Sequence, residues 1–306
     1  MEFHRDLCWV HCFLIFINDL DLGLLSSILK FADDTKIYGK AATPADRLQL
    51  QLDLNELCRW ADEWRMKFNV SKCKVMHTGS SNSNYYLYSM NGQILNEVAE
   101  HKDLGITISS DLKVANHCQH ACSKANRMLG LIKRTIKHKN ITVMVQLYKS
   151  LVRPHLEYCS PVWNPHYSKD KAMVERVQHR FTRLFPELRV MTYEARLKAL
   201  KLWSLEERRN RADLIEVYKL MHGFTDIPVS TYFQIATDSC TRGHTKKLVK
   251  SHCHTDARLC FFSLRVINCW NSLSKEIGDA PSVGLNAFKR HLESVQQKKM
   301  GSFMDS

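Results

Sequence analysis

The chain predicts an α+β fold, a short strand-rich part followed by a longer helical one, and three observations carry the prediction. Short apolar segments separated by turn residues occupy positions 28 to 38 and 70 to 108, with Asn91-Gly92 as the clearest hairpin dipeptide. Between them, Thr43 to Phe68 has the signals of one long helix. From Asp111 onward apolar residues recur every three or four positions almost to the end.

The strand-rich part is centred on Phe31-Ala32-Asp33-Asp34-Thr35-Lys36, flanked by Ile28, Leu29, Ile37 and Tyr38. Apolar residues on both sides of two carboxylates predict a tight hairpin with Asp33 and Asp34 at its turn. Paired carboxylates at the end of a sheet can hold a hard cation such as Mg²⁺, and they are equally ordinary turn residues. Before the hairpin, Phe13-Leu14-Ile15-Phe16-Ile17-Asn18-Asp19-Leu20 is apolar and ends in polar groups that can stop a helix.

Thr43 is the expected N-cap of the long helix, with Pro44 at its first position and Asp46 in its first turn. Its expected apolar stripe is Leu48, Leu52, Leu57, Trp60, Ala61, Trp64 and Phe68. A loop holding Lys72 and Lys74 then feeds a strand. Tyr85 to Tyr88 reads as another strand, whose tyrosines pack or stack on bases. Leu104-Gly105-Ile106-Thr107-Ile108 is expected to complete a small sheet.

In the helical part, Val114, Cys118, Ala121, Cys122, Ala125, Met128, Leu129, Ile132 and Ile136 make one apolar face. Lys113, Lys124, Arg127, Lys133, Arg134, Lys137 and Lys139 share this stretch, and no Asp or Glu does. His117 and His120 are expected beside it in solvent. A second helix runs from Ile141 to about Tyr158. A third, Lys169 to Phe185, carries Lys169, Lys171, Arg176, Arg180 and Arg183. A domain boundary is expected at Pro186, giving domains 1–110, 111–185 and 186–306. Helices follow at Tyr193 to Leu200 and Leu205 to Met221, then a turn-rich stretch from Thr225 to Lys250. A folded end includes Trp270 and a closing helix near Leu285 to Val295, and Gln296 to Ser306 is expected to fray.

Composition narrows the partners. Forty-four Lys and Arg against 31 Asp and Glu give a net charge of +13, which suits a polyanion: nucleic acid, or an anionic membrane surface. Eleven Cys scattered through regular patterns read as reduced, mostly buried thiols of a cytosolic or nuclear protein. The apolar run from Leu7 to Ile17 is interrupted by His11, lacks a cleavage site and is too short to span a bilayer, so neither secretion nor a membrane span is expected. Cys240, His244, His252, Cys253, His254 and Cys260 lie close together, but their spacing does not match a zinc finger.

Several segments in order resemble one family. Phe-Leu-Ile-Phe-Ile-Asn-Asp-Leu at 13–20, Phe-Ala-Asp-Asp-Thr-Lys at 31–36 and Trp64-Arg65-Met66-Lys67-Phe68-Asn69 before Lys72-Cys73-Lys74 are similar to the reverse transcriptases of non-LTR, jockey-like retrotransposons. So are Lys102-Asp103-Leu104-Gly105, Lys149 to Tyr158 and Trp270-Asn271-Ser272-Leu273. The resemblance implies a truncated palm sheet with a packed helix, a helical thumb and a mostly helical C-terminal region. It implies that Asp33 is a ligand of catalytic Mg²⁺, with Asp34 assisting, and that Lys72 or Lys74 acts on the departing pyrophosphate. Leu104-Gly105 looks like the primer grip. Lys113, Lys124, Arg127, Lys133, Arg134 and Lys137 would contact nucleic acid, and the implied partners are an RNA template, an RNA/DNA hybrid or a DNA primer.

The family's fingers, its first palm strand with a further metal-binding aspartate, its Pro-Gln-Gly segment and its endonuclease have no counterpart in these residues. Losing a shared metal ligand costs on the order of a thousandfold in rate. The expectation is a polymerase by ancestry that is catalytically silent as an isolated chain, with nucleic-acid binding by its basic helices as the alternative function.

Overall fold

A computed structural model describes residues 17–32, 34–79, 86–236, 244–274 and 284–298, with side chains to residue 295. They form two compact units, residues 1–101 and 102–306. The mixture of helix and small sheets agrees with an α+β reading.

In the first unit, a 3-10 turn at Ile17–Asp19 leads to strands β1 (Ser27–Phe31) and β2 (Asp34–Tyr38), paired antiparallel from Ser27 opposite Tyr38 to Phe31 opposite Asp34. Helix α1 (Pro44–Glu63) begins as the sequence predicts. The Thr43 hydroxyl accepts the Asp46 N–H at 3.2 Å, and the Asp46 carboxylate accepts the Thr43 N–H at 2.8 Å, a reciprocal cap. The expected stripe is shifted, since Leu48 and Leu52 are exposed while Leu57, Cys58 and Ala61 are buried. The reason is that two satellites pack on α1. Ile17, Leu20, Ile28 and Ile37 gather around Leu57 and Trp60; Tyr88, Met90 and Leu95 gather around Cys58 with Leu50 and Leu54.

Short strands follow: β3 (Lys74–Val75), β4 (Ser89–Met90), β5 (Gln93–Ile94) and β6 (Asn96–Glu97). Strands β4 and β5 pair antiparallel around Asn91-Gly92, both at positive φ (50° and 74°), as a tight hairpin turn requires. Strands β3 and β6 pair parallel. Strands β7 (Glu100–Asp103) and β8 (Ile106–Ser109) make another two-stranded ladder. The one small sheet expected from the sequence is therefore several separate ladders. Leu104-Gly105, expected within a strand, is the turn between β7 and β8. Tyr88 is buried and meets Tyr86 edge-on at 4.9 Å, a packing role, while Tyr85 lies outside the described residues.

The second unit is built on α2 (Ala115–Thr135), whose buried face is the predicted one. Helix α3 (Ile141–Leu147) passes through a π turn at Tyr148–Val152 into α4 (Pro154–Glu157). Pro154 has no N–H to give, and the ladder widens just before it, with the Arg153 N–H reaching the Tyr148 carbonyl at 2.9 Å. Then come α5 (Ser160–Trp163), α6 (Ser168–Thr182), α7 (Tyr193–Leu200), α8 (Leu205–Met221), α9 (Asp256–Leu259), α10 (Phe262–Asn271) and α11 (Leu285–Lys298).

The expected break at Pro186 does not divide compact units. One apolar cluster runs from Ile106 through Phe181, Phe185 and Leu188 to Leu205. Helix α8 continues from it into a second cluster with Val266, Trp270, Phe288 and Leu292. A proline ends a helix locally, but burial on both sides of it keeps the unit whole. Polar bonds reinforce the junction: Arg265 on α10 forks onto Asp213 of α8 at 2.8 and 2.9 Å and reaches the Pro161 carbonyl at 2.6 Å. Among the described residues no helix is long and apolar enough to cross a membrane.

Candidate nucleic-acid interface

Asp34 opens β2 and is exposed, so it is a strand residue rather than the turn residue expected; Asp33 lies outside the described residues. Other carboxylates of this unit have structural partners. Asp19 accepts the Trp60 indole N–H at 3.0 Å, and Asp21 pairs with Lys30 at 2.6 Å. Buried Asp53 accepts the backbone N–H groups of Leu25 and Ser26 at 3.2 and 2.8 Å and the Gln49 amide at 3.0 Å. Burial pushes the Asp53 carboxyl upward, but the hydrogen bonds outweigh it and leave the group below its ordinary value. Among the described residues no three His, Cys, Asp or Glu side chains come together in a way that could hold a metal ion. Of the two carboxylates that the resemblance implies for magnesium, Asp34 is the described one, exposed at the start of β2.

Lys72 is exposed in a turn in which its N–H reaches the Asn69 carbonyl at 2.9 Å, and the Lys74 ammonium bonds the Ser71 carbonyl at 3.2 Å. Beside them is an open groove of about 530 Å³ lined by Asp62, Lys67, Phe68, Asn69, Val70, Ser71, Asn91 and Gln93.

The second unit concentrates cationic side chains. Between Asp111 and Glu157 the chain has no carboxylate side chain at all. Lys124, Arg127, Lys133, Arg134 and Lys137 are exposed on α2 and just after it, opposite the buried Cys118, Ala125 and Leu129. Lys113 differs from the others, since it precedes the helix and pairs with Asp111 at 3.2 Å.

Helix α6 lies alongside: the Cys122 thiol reaches the Met173 carbonyl at 3.6 Å, and the Arg180 guanidinium donates to the Asn126 amide oxygen at 3.0 Å. These contacts advance together, so the two helices run in the same direction. Arg176, Arg180 and Arg183 are exposed on α6 at helical spacing. Its two acidic residues turn inward. Asp170 is buried, and Glu175 accepts the Tyr193 hydroxyl and the Leu205 N–H, the latter at 3.0 Å. A one-signed ridge results.

At the other end of α2, the Leu104-Gly105 turn is exposed, and behind it His117 is buried rather than solvated. Burial lowers the His117 pKa to about 4, helped by the charges of Lys124 and His120. His120 remains exposed, with Nδ1 3.1 Å from the Thr107 hydroxyl. Burial raises the Cys118 and Cys122 thiols to about 12 and about 11, as expected for inert core thiols. His244 is also buried and bonded to the Trp270 carbonyl at 3.0 Å, while Cys240 lies outside the described residues. Sequence reasoning passed over buried Asn164, Gln178, Arg209 and Asp213 and the partly buried Arg265 of this unit; isolated polar residues within helical patterns announce no partner.

The chain is 27% identical over 184 residues to the RNA-directed DNA polymerase from mobile element jockey of Drosophila melanogaster, and 23% identical over 185 residues to that of Drosophila funebris. The chain is similar to jockey-type reverse transcriptases. Each jockey alignment takes in 57% of this chain and 20% of the relative, so the chain matches about a fifth of the length of these polymerases. No family model and no solved structure matches the chain.

Proposed function

We propose that this chain is a portion of a jockey-like reverse transcriptase, and that residues 102–306 hold nucleic acid by its phosphates. The observation that carries the reading is the ridge of Lys124, Arg127, Lys133, Arg134 and Lys137 beside Arg176, Arg180 and Arg183, on which no carboxylate faces outward. Such a surface releases counterions when it meets a polyanion and reads charge rather than sequence. No Phe, Tyr or Trp occurs in α2, and the one in α6, Phe181, is buried. The ridge therefore suits the backbone of a duplex, such as an RNA/DNA hybrid, better than stacked single-stranded bases. The Leu104-Gly105 turn is the second contact, where exposed backbone can approach the strand. In this reading residues 1–110 are palm, residues 111–185 are thumb and residues 186–306 are a C-terminal, mostly helical region.

Catalysis is a separate matter. Asp33 and Asp34 are in this reading remnants of a magnesium site, with Lys72 beside the leaving group, and among the described residues no three His, Cys, Asp or Glu side chains come together to hold a metal ion. The test is twofold. Affinity for a labelled RNA/DNA hybrid is expected to fall steeply, by on the order of a thousandfold between 50 and 200 mM salt if six or more phosphates are neutralised. Primer extension on an RNA template with Mg²⁺ or Mn²⁺ is expected to give no product. Salt-independent binding would overturn the first part, and extension abolished by Asp33→Asn would overturn the second.

A further inference from the structure

The β7–β8 turn is gripped from outside by Tyr158. Leu104 and Gly105 stand at φ 42° and 90°, and a leucine keeps such a conformation only where its surroundings impose it. The Tyr158 hydroxyl donates to the Leu104 carbonyl at 3.0 Å. Its ring lies against the next residue, for a β-carbon placed at Gly105 would sit 3.1 Å from Tyr158 Cε1.

Tyr158 is in turn fixed. Its carbonyl accepts the indole N–H of buried Trp163 at 2.7 Å. Trp163 meets the His117 ring edge-on at 4.7 Å, and His117 Nδ1 accepts the Thr107 N–H at 3.1 Å. Thr107 is two residues past Gly105, so the contacts form a closed ring that begins and ends on the hairpin. Yet Tyr158 is 55% exposed and Leu104 46% exposed. One edge of the phenol grips the turn while the rest faces solvent, an arrangement that packing alone does not call for. Interaction with the neighbouring Cys159 raises the phenol above its ordinary value, so it remains an O–H donor through the neutral range.

We propose that Tyr158 is a positioning residue, which sets the shape in which the Leu104-Gly105 turn meets a nucleic-acid backbone. This rests on the nucleic-acid reading of the turn given above. Tyr158 acts through the turn, and the phosphate-binding ridge on α2 and α6 is separate from it.

The experiment uses the full chain and a labelled RNA/DNA hybrid. Tyr158→Phe removes the donor and keeps the ring, and Gly105→Ala drives a methyl group into the ring. Hydrogen exchange at amides 104–107 and hybrid affinity at two salt concentrations are measured for both variants and the parent. In the parent, hybrid is expected to slow exchange at these amides. In Tyr158→Phe, exchange there is expected to rise about tenfold without hybrid and affinity to fall about fivefold, the scale of one lost hydrogen bond. The salt dependence is expected to stay unchanged, because no phosphate-binding cation is altered, and Gly105→Ala is expected to behave alike. Unchanged exchange in Tyr158→Phe would overturn the proposal, as would faster exchange with unchanged affinity. If the parent itself binds no hybrid, the nucleic-acid reading fails; faster exchange in the variant would then identify Tyr158 as a packing residue and overturn its positioning role separately.

Discussion

The Nδ1 atom of His117 accepts the backbone N–H of Thr107 at 3.1 Å, and only an imidazole unprotonated at that nitrogen can do so. The pKa of about 4 lies below the value near 6.5 of an unfolded histidine. Between those values the unfolded chain binds the extra proton and the folded chain does not. Stability from this group is therefore complete above about pH 6.5 and is lost as pH falls toward 4. The expected loss is on the order of 2 kcal/mol after allowance for solvent screening. Urea unfolding at pH 7 and pH 4.5 is expected to show it, and the pH dependence is expected to flatten in His117→Gln.

Arg127 and Arg134 are exposed on the outer face of α2. Replacing both with alanine is expected to lower the slope of log affinity against log salt for an RNA/DNA hybrid by about 2, equally for hybrids of unrelated sequence. Thermal stability is expected to change little. A loss confined to one sequence would contradict phosphate binding.

Arg265 and Asp213 form a forked pair with Asp213 almost wholly buried. Arg265→Met leaves a buried carboxylate short of its main partner and is expected to cost about 3–5 kcal/mol. Arg265→Met combined with Asp213→Leu removes both charges and is expected to recover most of that loss. Chemical unfolding of the two variants separates a stranded charge from a lost contact.

Thr43 caps α1 through the Asp46 N–H. Thr43→Ala is expected to destabilise the first unit by about 1 kcal/mol, and Thr43→Ser to be nearly neutral. Faster exchange in the first turn of α1 is the local readout.

Cys159 is exposed, whereas Cys118 and Cys122 are buried, with thiols raised to about 12 and about 11. Iodoacetamide at pH 8 is expected to label Cys159 within minutes and the other two only after unfolding. Peptide mass mapping distinguishes them.

The sequence was most legible where short-range chemistry decides. Thr43-Pro44 with Asp46 could only start a helix, and Asn91-Gly92 could take the positive φ angles of a tight hairpin at little cost. The apolar face of α2 followed from periodicity because a long surface helix needs one buried stripe. The same reasoning misplaced Leu48 and Leu52. The period of α1 carries no mark of the two separate clusters, around Leu57 and around Cys58, that pack on it. His117 was misplaced for a related cause: a histidine next to a buried stripe is solvated or buried according to what arrives on top, here Trp163 and β8.

By itself the sequence determined the α+β class, the basic stretch between Asp111 and Glu157 and the likeness to jockey-type reverse transcriptases, since composition, period and motif order are properties of one dimension. Only the tertiary structure decided which charges stay free and which residues act together. It brought Arg176 and Arg180 of α6 beside α2, turned Glu175 inward and set Tyr158 against Leu104, 54 residues away. Those partnerships depend on how helices of similar pattern pack against one another, and packing is settled by shape and burial between segments that carry no mark of each other in the chain.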